Sequence, residues 1–206
     1  LPYGSELNET TPVDPHPHLR DPYSYSKAIQ ERVAFELYRD QHLPLVVVRP
    51  GVIFGPGKGA MSSRIGLSLG SLLLRFGGGQ QLPYVDVENC AQAILLAGTV
   101  PGIEGEVFNV VDDDLPTGNE VLKIYKQAGK STRSIWIPLR LVEPLCALYE
   151  NYHRFSSGQL PGVLTRYKAA SMWRSLRYSN AKAKSRLGWK PTIRMPEALR
   201  RSLSDG

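Results

Sequence analysis

Tyr23 and Lys27 are the residues whose types and spacing best suit chemistry. Four positions apart on a helix, they fall on one face. A free tyrosine titrates near 10, too high for a base at neutral pH. A nearby ammonium favours the phenolate. Such a pair can pass a proton to or from a substrate hydroxyl. The bare spacing is thin support, because ten Tyr and nine Lys give about 0.4 such pairs by chance. The chain carries its own decoy, Tyr178 and Lys182. Asn180 between them is expected to cap a helix, leaving Tyr178 extended and Lys182 helical. That pair would not share a face. Tyr23 and Lys27 instead lie within one periodic helix that leads into an apolar strand.

Other candidates weaken on inspection. His16 and His18 sit between prolines, in an extended loop without further metal ligands. Cys90 and Cys146 cannot build a disulfide scaffold. Gly77–Gly79 reads as a loop rather than a phosphate cradle, since no helix N-terminus is predicted after it. Asn8-Glu9-Thr10 is a glycosylation sequon, which matters only in a secreted protein. From 161 to 206 the chain carries eleven Lys and Arg against two acids. No nucleic-acid motif accompanies that charge, so it reads as solvated helix faces near an anionic ligand.

The elements that must position Tyr23 and Lys27 are legible around them. Residues 1–22 read as a proline-rich loop. Asp21-Pro22 starts a helix, and Ile29, Val33 and Leu37 repeat along it to about Gln41. Leu45 to Val48 is β-branched and apolar, as in a parallel strand buried on both faces, and Pro50-Gly51 stops it. Further along, a helix is predicted over Ser62–Phe76, an extended piece over 82–87 and a helix over Glu88–Ala97. A strand follows over Glu106–Val111. Thr117 to Glu120 fits a capping box opening a helix to about Gln127. A strand is expected over Ser134–Ile137. Helices are expected over 138–154 and 163–173, from Asn180 to Leu187, and from Pro196 onward. Strands alternating with helices mean α/β.

Composition bounds the function. With 42% hydrophobic and 21% charged residues over 206 positions, the chain is globular rather than disordered. The longest apolar run, from Ile65 to Phe76, is too short to span a membrane and contains Gly70 and Arg75. No signal peptide opens it. A reduced, cytoplasmic protein is the expectation.

Tyr23-Ser24-Tyr25-Ser26-Lys27, followed by Val46 to Gly57 with Arg49-Pro50-Gly51-Val52-Ile53-Phe54-Gly55, resembles the extended short-chain dehydrogenase/reductases, and in particular the NAD-dependent epimerase/dehydratase family. Three more stretches are similar and come in family order: the Tyr3-Gly4 loop, Val87 to Ala91, and Leu187-Gly188-Trp189-Lys190-Pro191. The resemblance implies a partial Rossmann-like doubly wound parallel sheet with a small C-terminal substrate-binding region. Residues 1–60 would belong to the dinucleotide-binding domain with its catalytic helix. Residues 61–206 would be mostly substrate-binding, with the strand near 106–111 returning to the sheet. It implies Tyr23 as general acid/base that also borders the cofactor, Lys27 as its partner and a hold on the nicotinamide ribose, and the Pro50, Gly51, Val52, Ile53 turn beside the nicotinamide. The cofactor would be NAD or NADP, with no metal. The substrate would be a small molecule oxidised or reduced at a carbinol or carbonyl carbon. No nucleic-acid partner is implied, and related enzymes often form homodimers.

Two departures bear on that substrate. Nucleotide-sugar enzymes of the family usually carry Asn where this chain has Val52, and Arg near Leu82. Their absence tilts the reading from a nucleotide sugar toward branches resembling hydroxysteroid dehydrogenases or carbonyl reductases. A non-catalytic binding protein on the same fold is a further alternative. The family's Gly-x-x-Gly-x-x-Gly fingerprint is absent from the 206 residues, and the catalytic Ser or Thr would precede Tyr3. The chain is therefore expected to be the C-terminal part of a longer enzyme, inactive alone.

Overall fold

The computed structural model describes residues 4–130, 132–155 and 164–204. In chain order the elements are β1 (Glu6–Leu7), α1 (Pro22–Gln41), β2 (Val47–Pro50), β3 (Val52–Phe54), β4 (Gly66–Leu69), β5 (Leu72–Phe76), β6 (Tyr84–Asp86), α2 (Val87–Thr99), β7 (Val107–Val110), α3 (Gly118–Gln127), β8 (Arg133–Ile137), α4 (Leu139–Phe155), α5 (Arg166–Trp173), β9 (Arg177–Tyr178), α6 (Ala181–Leu187) and α7 (Met195–Ser204). Helices alternate with strands, and parallel pairs predominate: β1 with β9, β2 with β7, β3 with β6, and β5 with β8. The fold is α/β.

Residues 47–54 form the spine of the site. β2 runs beside β7, with Val47 opposite Val107 and Pro50 opposite Val110. At Gly51 the chain changes partner. Gly51 N–H still donates to Val110 O at 2.9 Å, and Val52 N–H donates to Pro83 O at 2.6 Å. β3 then runs beside β6. Gly51 is required at this crossing, because a Cβ there would lie 2.1 Å from Pro83 O. The apolar run Leu45 to Val48 predicts a strand buried on both faces. β2 is instead half-exposed along Val47 to Arg49, and β7 is its only strand neighbour among the described residues.

The helix predicted over Ser62–Phe76 is a correction. The segment is an antiparallel hairpin, β4 and β5, with Leu69 opposite Leu72. Gly70 takes φ +60 in the two-residue connection, a conformation that suits a tight hairpin turn and breaks a helix. The leucines that favour a helix by propensity find instead a sheet surface, since β5 also pairs with β8. The 1–22 loop is also less irregular than expected: β1 pairs with β9, and a 3-10 turn covers Pro17–Leu19. Tyr3, and the start of the helix predicted over 163–173, lie outside the described residues; α5 begins at Arg166 behind its Thr165 cap.

Three clusters make the core. Phe54, Leu82, Tyr84 and Val121 pack with α7 through Ala198 and Leu199. Val85, Phe108 and Val110 pack with α2 through Ala93, with α6 through Ala183, and with Trp189 just beyond α6. Phe76, Cys146 and Trp173 join β5 to α4 and α5. Tyr84 donates its hydroxyl to Ala60 O at 2.6 Å, and burial pushes that phenol up to about 12. The capping box at the start of α3 is present: Glu120 N–H donates to Thr117 Oγ1 at 3.3 Å, and Thr117 N–H donates to Glu120 Oε2 at 2.7 Å.

Candidate active site

α1 presents Tyr23 and Lys27. Asp21 caps it, accepting Ser24 N–H at 2.7 Å and Ser24 Oγ–H at 2.9 Å. Burial pushes the Asp21 carboxyl up, but these two donors outweigh it and hold the group below its ordinary value. Pro22 follows at the first helical position, where a missing N–H costs nothing. One turn of helix then brings Tyr23 and Lys27 together. Lys27 Nζ lies 5.8 Å from the centre of the Tyr23 ring and donates to Gln30 Oε1 at 3.0 Å. Tyr23 is 71% exposed, and no residue of α1 is buried.

Both residues open onto a cleft of about 400 Å³. Pro50 and Gly51 form part of its wall, at the C-terminal end of β2, where open α/β sheets place ligands. The other walls come from the 7–20 loop through Leu7, Thr11 and Val13, and from Arg64, Pro83, Asn109 and Val111. Of the six residues singled out in the sequence, Tyr23, Lys27, Pro50 and Gly51 thus converge on one cleft. Val52 and Ile53 do not line it. Val52 packs on the cluster around Phe54, and Ile53 on the cluster around Phe108.

The decoy separates as its sequence predicts. Tyr178 is on β9, whereas Lys182 on α6 sits over the Phe108 ring at 4.9 Å and pairs with Glu106 at 3.2 Å. Tyr178 does reach the cleft wall. The basic C-terminal stretch is partly spent on neighbours: Lys184 meets Asp113 at 2.5 Å, Arg186 pairs with Glu106, and Arg201 with Glu88.

Sequence reasoning missed two contributors. Glu31 takes Arg49 in a two-point ion pair, one bond being Arg49 Nε–H to Glu31 Oε2 at 2.9 Å. Glu31 stands four residues past Lys27, a spacing that could have flagged it. Asn109 is 6% exposed on β7, and its Nδ2 has no hydrogen-bond partner among the described residues. A lone amide inside an apolar strand, Val107-Phe108-Asn109-Val110, was the available signal.

Two stretches whose role the sequence left open meet in a single hub. Asn89 Nδ2 donates to Asp112 Oδ1 at 2.9 Å and to Ile193 O at 2.8 Å. Its Oδ1 accepts Thr192 N–H at 2.9 Å and Ile193 N–H at 3.1 Å. Trp189 Nε1–H donates to Asn89 O at 3.0 Å. The Val87–Ala91 and Leu187–Pro191 stretches are therefore two sides of one fastening.

Residues 2–110, which hold Tyr23, Lys27 and the β2–Gly51–β3 turn, match the NAD dependent epimerase/dehydratase family. The chain belongs to this family. It is 24% identical over 211 residues to 3beta-hydroxysteroid-dehydrogenase/decarboxylase isoform 1 of Arabidopsis thaliana, covering 96% of this chain and 48% of that protein. It is 25% identical over 186 residues to UDP-glucose 4-epimerase of Vibrio cholerae, covering 88% of this chain and 52% of that one. Its fold matches that of UDP-glucuronic acid 4-epimerase from Bacillus cereus, solved in complex with NAD. The TM-score is 0.66 at 17% identity, over 99% of this chain and 56% of the other. The chain spans about half the length of the curated relatives it matches. The family is NAD-dependent, and the parallel strands of this chain are Rossmann-like. Among the described residues no helix is long and apolar enough to cross a membrane.

Proposed function

We propose that this chain carries the proton-transfer and substrate-binding part of an NAD(P)-dependent oxidoreductase or epimerase. The observation that carries the reading is the convergence of Tyr23, Lys27 and the Pro50-Gly51 turn on one cleft at the end of a parallel strand. The residues present fit the nicotinamide–ribose end of the family's cofactor. Lys27 offers an ammonium with two spare protons after Gln30. Asn109 holds a buried, unpartnered amide on the cleft wall. When bound, the nicotinamide would supply a two-electron hydride acceptor or donor.

Tyr23 then moves the proton. Its phenolate oxygen takes the proton of a substrate carbinol, and in the reverse direction its hydroxyl gives that proton to a carbonyl oxygen. Lys27 offsets the negative charge on the phenol oxygen while the proton is away. The β2–Gly51–β3 turn fixes the floor on which the reacting carbon is held, since neither of its hydrogen bonds can slip without breaking strand pairing. The test uses the full gene product with UDP-glucose, UDP-glucuronic acid and a 3β-hydroxysteroid as candidate substrates. Tyr23→Phe should lower kcat by about 10²–10⁴-fold and leave dinucleotide affinity within about threefold, roughly half of a tenfold step in binding free energy. A variant that keeps its full rate would overturn the assignment of the proton to Tyr23, and a wild type that binds these ligands but turns none over would favour a binding protein on the same fold.

A specific observation favours the hydroxysteroid or carbonyl-reductase alternative over a nucleotide sugar. Leu82 is 1% exposed in the core, and Val52 packs on the same cluster. Neither position offers a polar group to a sugar nucleotide, whereas Leu7, Val13, Pro83 and Val111 give the cleft an apolar lining. Turnover of the sterol but neither sugar nucleotide would settle the choice.

A further inference from the structure

Lys27 has a rival for its charge. Glu31 lies one turn further along the same helix, the spacing at which oppositely charged side chains pair. Were Glu31 free, its carboxylate would draw the Lys27 ammonium down the helix and away from Tyr23. It is not free. Arg49, reaching over from β2, grips both carboxylate oxygens of Glu31, and each partner of that pair is largely covered. A two-point guanidinium–carboxylate pair is stronger and more directional than an ammonium contact along an exposed helix. Lys27 is left with the neutral Gln30 amide and stays over the Tyr23 ring. Both charged groups of the rival pair also line the cleft.

We propose that Arg49 is a positioning residue: by engaging Glu31 it keeps the Lys27 ammonium available to Tyr23 and the cleft. The use of that ammonium rests on the functional reading above; the steering itself does not. The steering is tested on the 206-residue chain by competitive acetylation with isotopically labelled acetic anhydride, reading Lys27 by mass spectrometry against the other lysines. An ammonium tied to a carboxylate acylates more slowly. Arg49→Gln should slow Lys27 labelling about twofold or more, the worth of an exposed i,i+4 ion pair. The Arg49→Gln/Glu31→Gln double variant should return it to the wild-type rate. Glu31→Gln alone should leave it unchanged, because Glu31 is already engaged. An unchanged rate in Arg49→Gln, or a slowed rate that persists in the double variant, would overturn the steering. So would faster labelling in Glu31→Gln, which tests the idea even where the Arg49 variant fails to fold. NADH binding to the full gene product, read by fluorescence, should follow the same order. If labelling follows it and NADH affinity does not, the steering stands and the assignment of Lys27 to the cofactor falls.

Discussion

Asn89 commits its whole amide to the fold. Two donors and a carbonyl oxygen serve Asp112, Ile193 and Thr192. Asn89→Ala would leave one carboxylate oxygen of buried Asp112 unpaired, together with the less buried Thr192 N–H, Ile193 N–H and Ile193 carbonyl. Each buried polar group left unpaired costs about 1–3 kcal/mol, so a loss of about 3 kcal/mol or more is expected. For a chain of this size that is a fall of roughly 6–12 °C in Tm, measurable by circular dichroism. Asp112 adds a pH dependence. Burial raises its carboxyl from an ordinary 3.8 to about 6, against the pull of the Asp86 N–H and the Asn89 amide. The folded chain therefore holds this proton more tightly than the unfolded one. The associated stability is fully present below pH 3.8 and is lost as pH rises through about 6. The size is on the order of 3 kcal/mol. Asp21, Asp113 and Glu106 are lowered and run the opposite way, so the whole-protein curve mixes both signs. Subtracting the Asp112→Asn stability curve from the wild type between pH 4 and 7 isolates the term. A flat difference would show that Asp112 does not titrate in that window.

At the scale of elements, Gly51 is where two strand pairings meet, and it tests how tightly the cleft floor is tied to the sheet. Gly51→Ala would drive a Cβ into the Pro83 carbonyl, 2.1 Å away. Backbone cannot swing aside like a side chain, so the β2–β3 run must shift. Overpacking of this kind costs about 1–3 kcal/mol, and the accompanying shift at Pro50 should weaken substrate binding as well. Thermal melts and KM values of the full gene product check both. Elements written in local rules were readable from sequence: α1 from Asp21-Pro22 and its apolar repeat, and α3 from its capping box. The convergence of Tyr23, Lys27, Pro50 and Gly51 followed, because helix and strand adjoin in the chain. The β4–β5 hairpin was not legible. Its leucines satisfy either period, and what decides is β8, a partner more than fifty residues away in sequence that no local pattern announces. The Glu31–Arg49 pair was hidden for a related reason: each residue is ordinary alone, and only the placing of α1 beside β2 in the fold brings them together.

The whole molecule has surfaces that ask for company. α1 is twenty residues long and buries none of them. β2 has one strand neighbour among the described residues, leaving an apolar edge of the kind that sheets usually cover. Both flank the cleft. The proposed cofactor needs more than the cleft supplies. Pyrophosphates are held by free N–H groups at a glycine-rich helix start. The helix that opens here is α1, whose first position is Pro22 and whose cap is the Asp21 carboxylate. Ser24 N–H is spent on that carboxylate and Tyr25 N–H on the Asp21 carbonyl, and the carboxylate's negative charge repels phosphate. Tyr23, Lys27 and Asn109 can serve the nicotinamide and ribose, but much of the affinity for a dinucleotide comes from its phosphates and adenosine. The purified 206-residue chain should therefore show no NAD or NADP binding tighter than about millimolar, or −4 kcal/mol, by isothermal titration calorimetry. A form of the protein that carries a glycine-rich strand–turn–helix beside β2 should bind in the micromolar range, about −8 kcal/mol. Micromolar binding by the 206 residues alone would mean that the phosphates find donors in the cleft after all, with Arg64 and Arg20 on its wall the first groups to substitute.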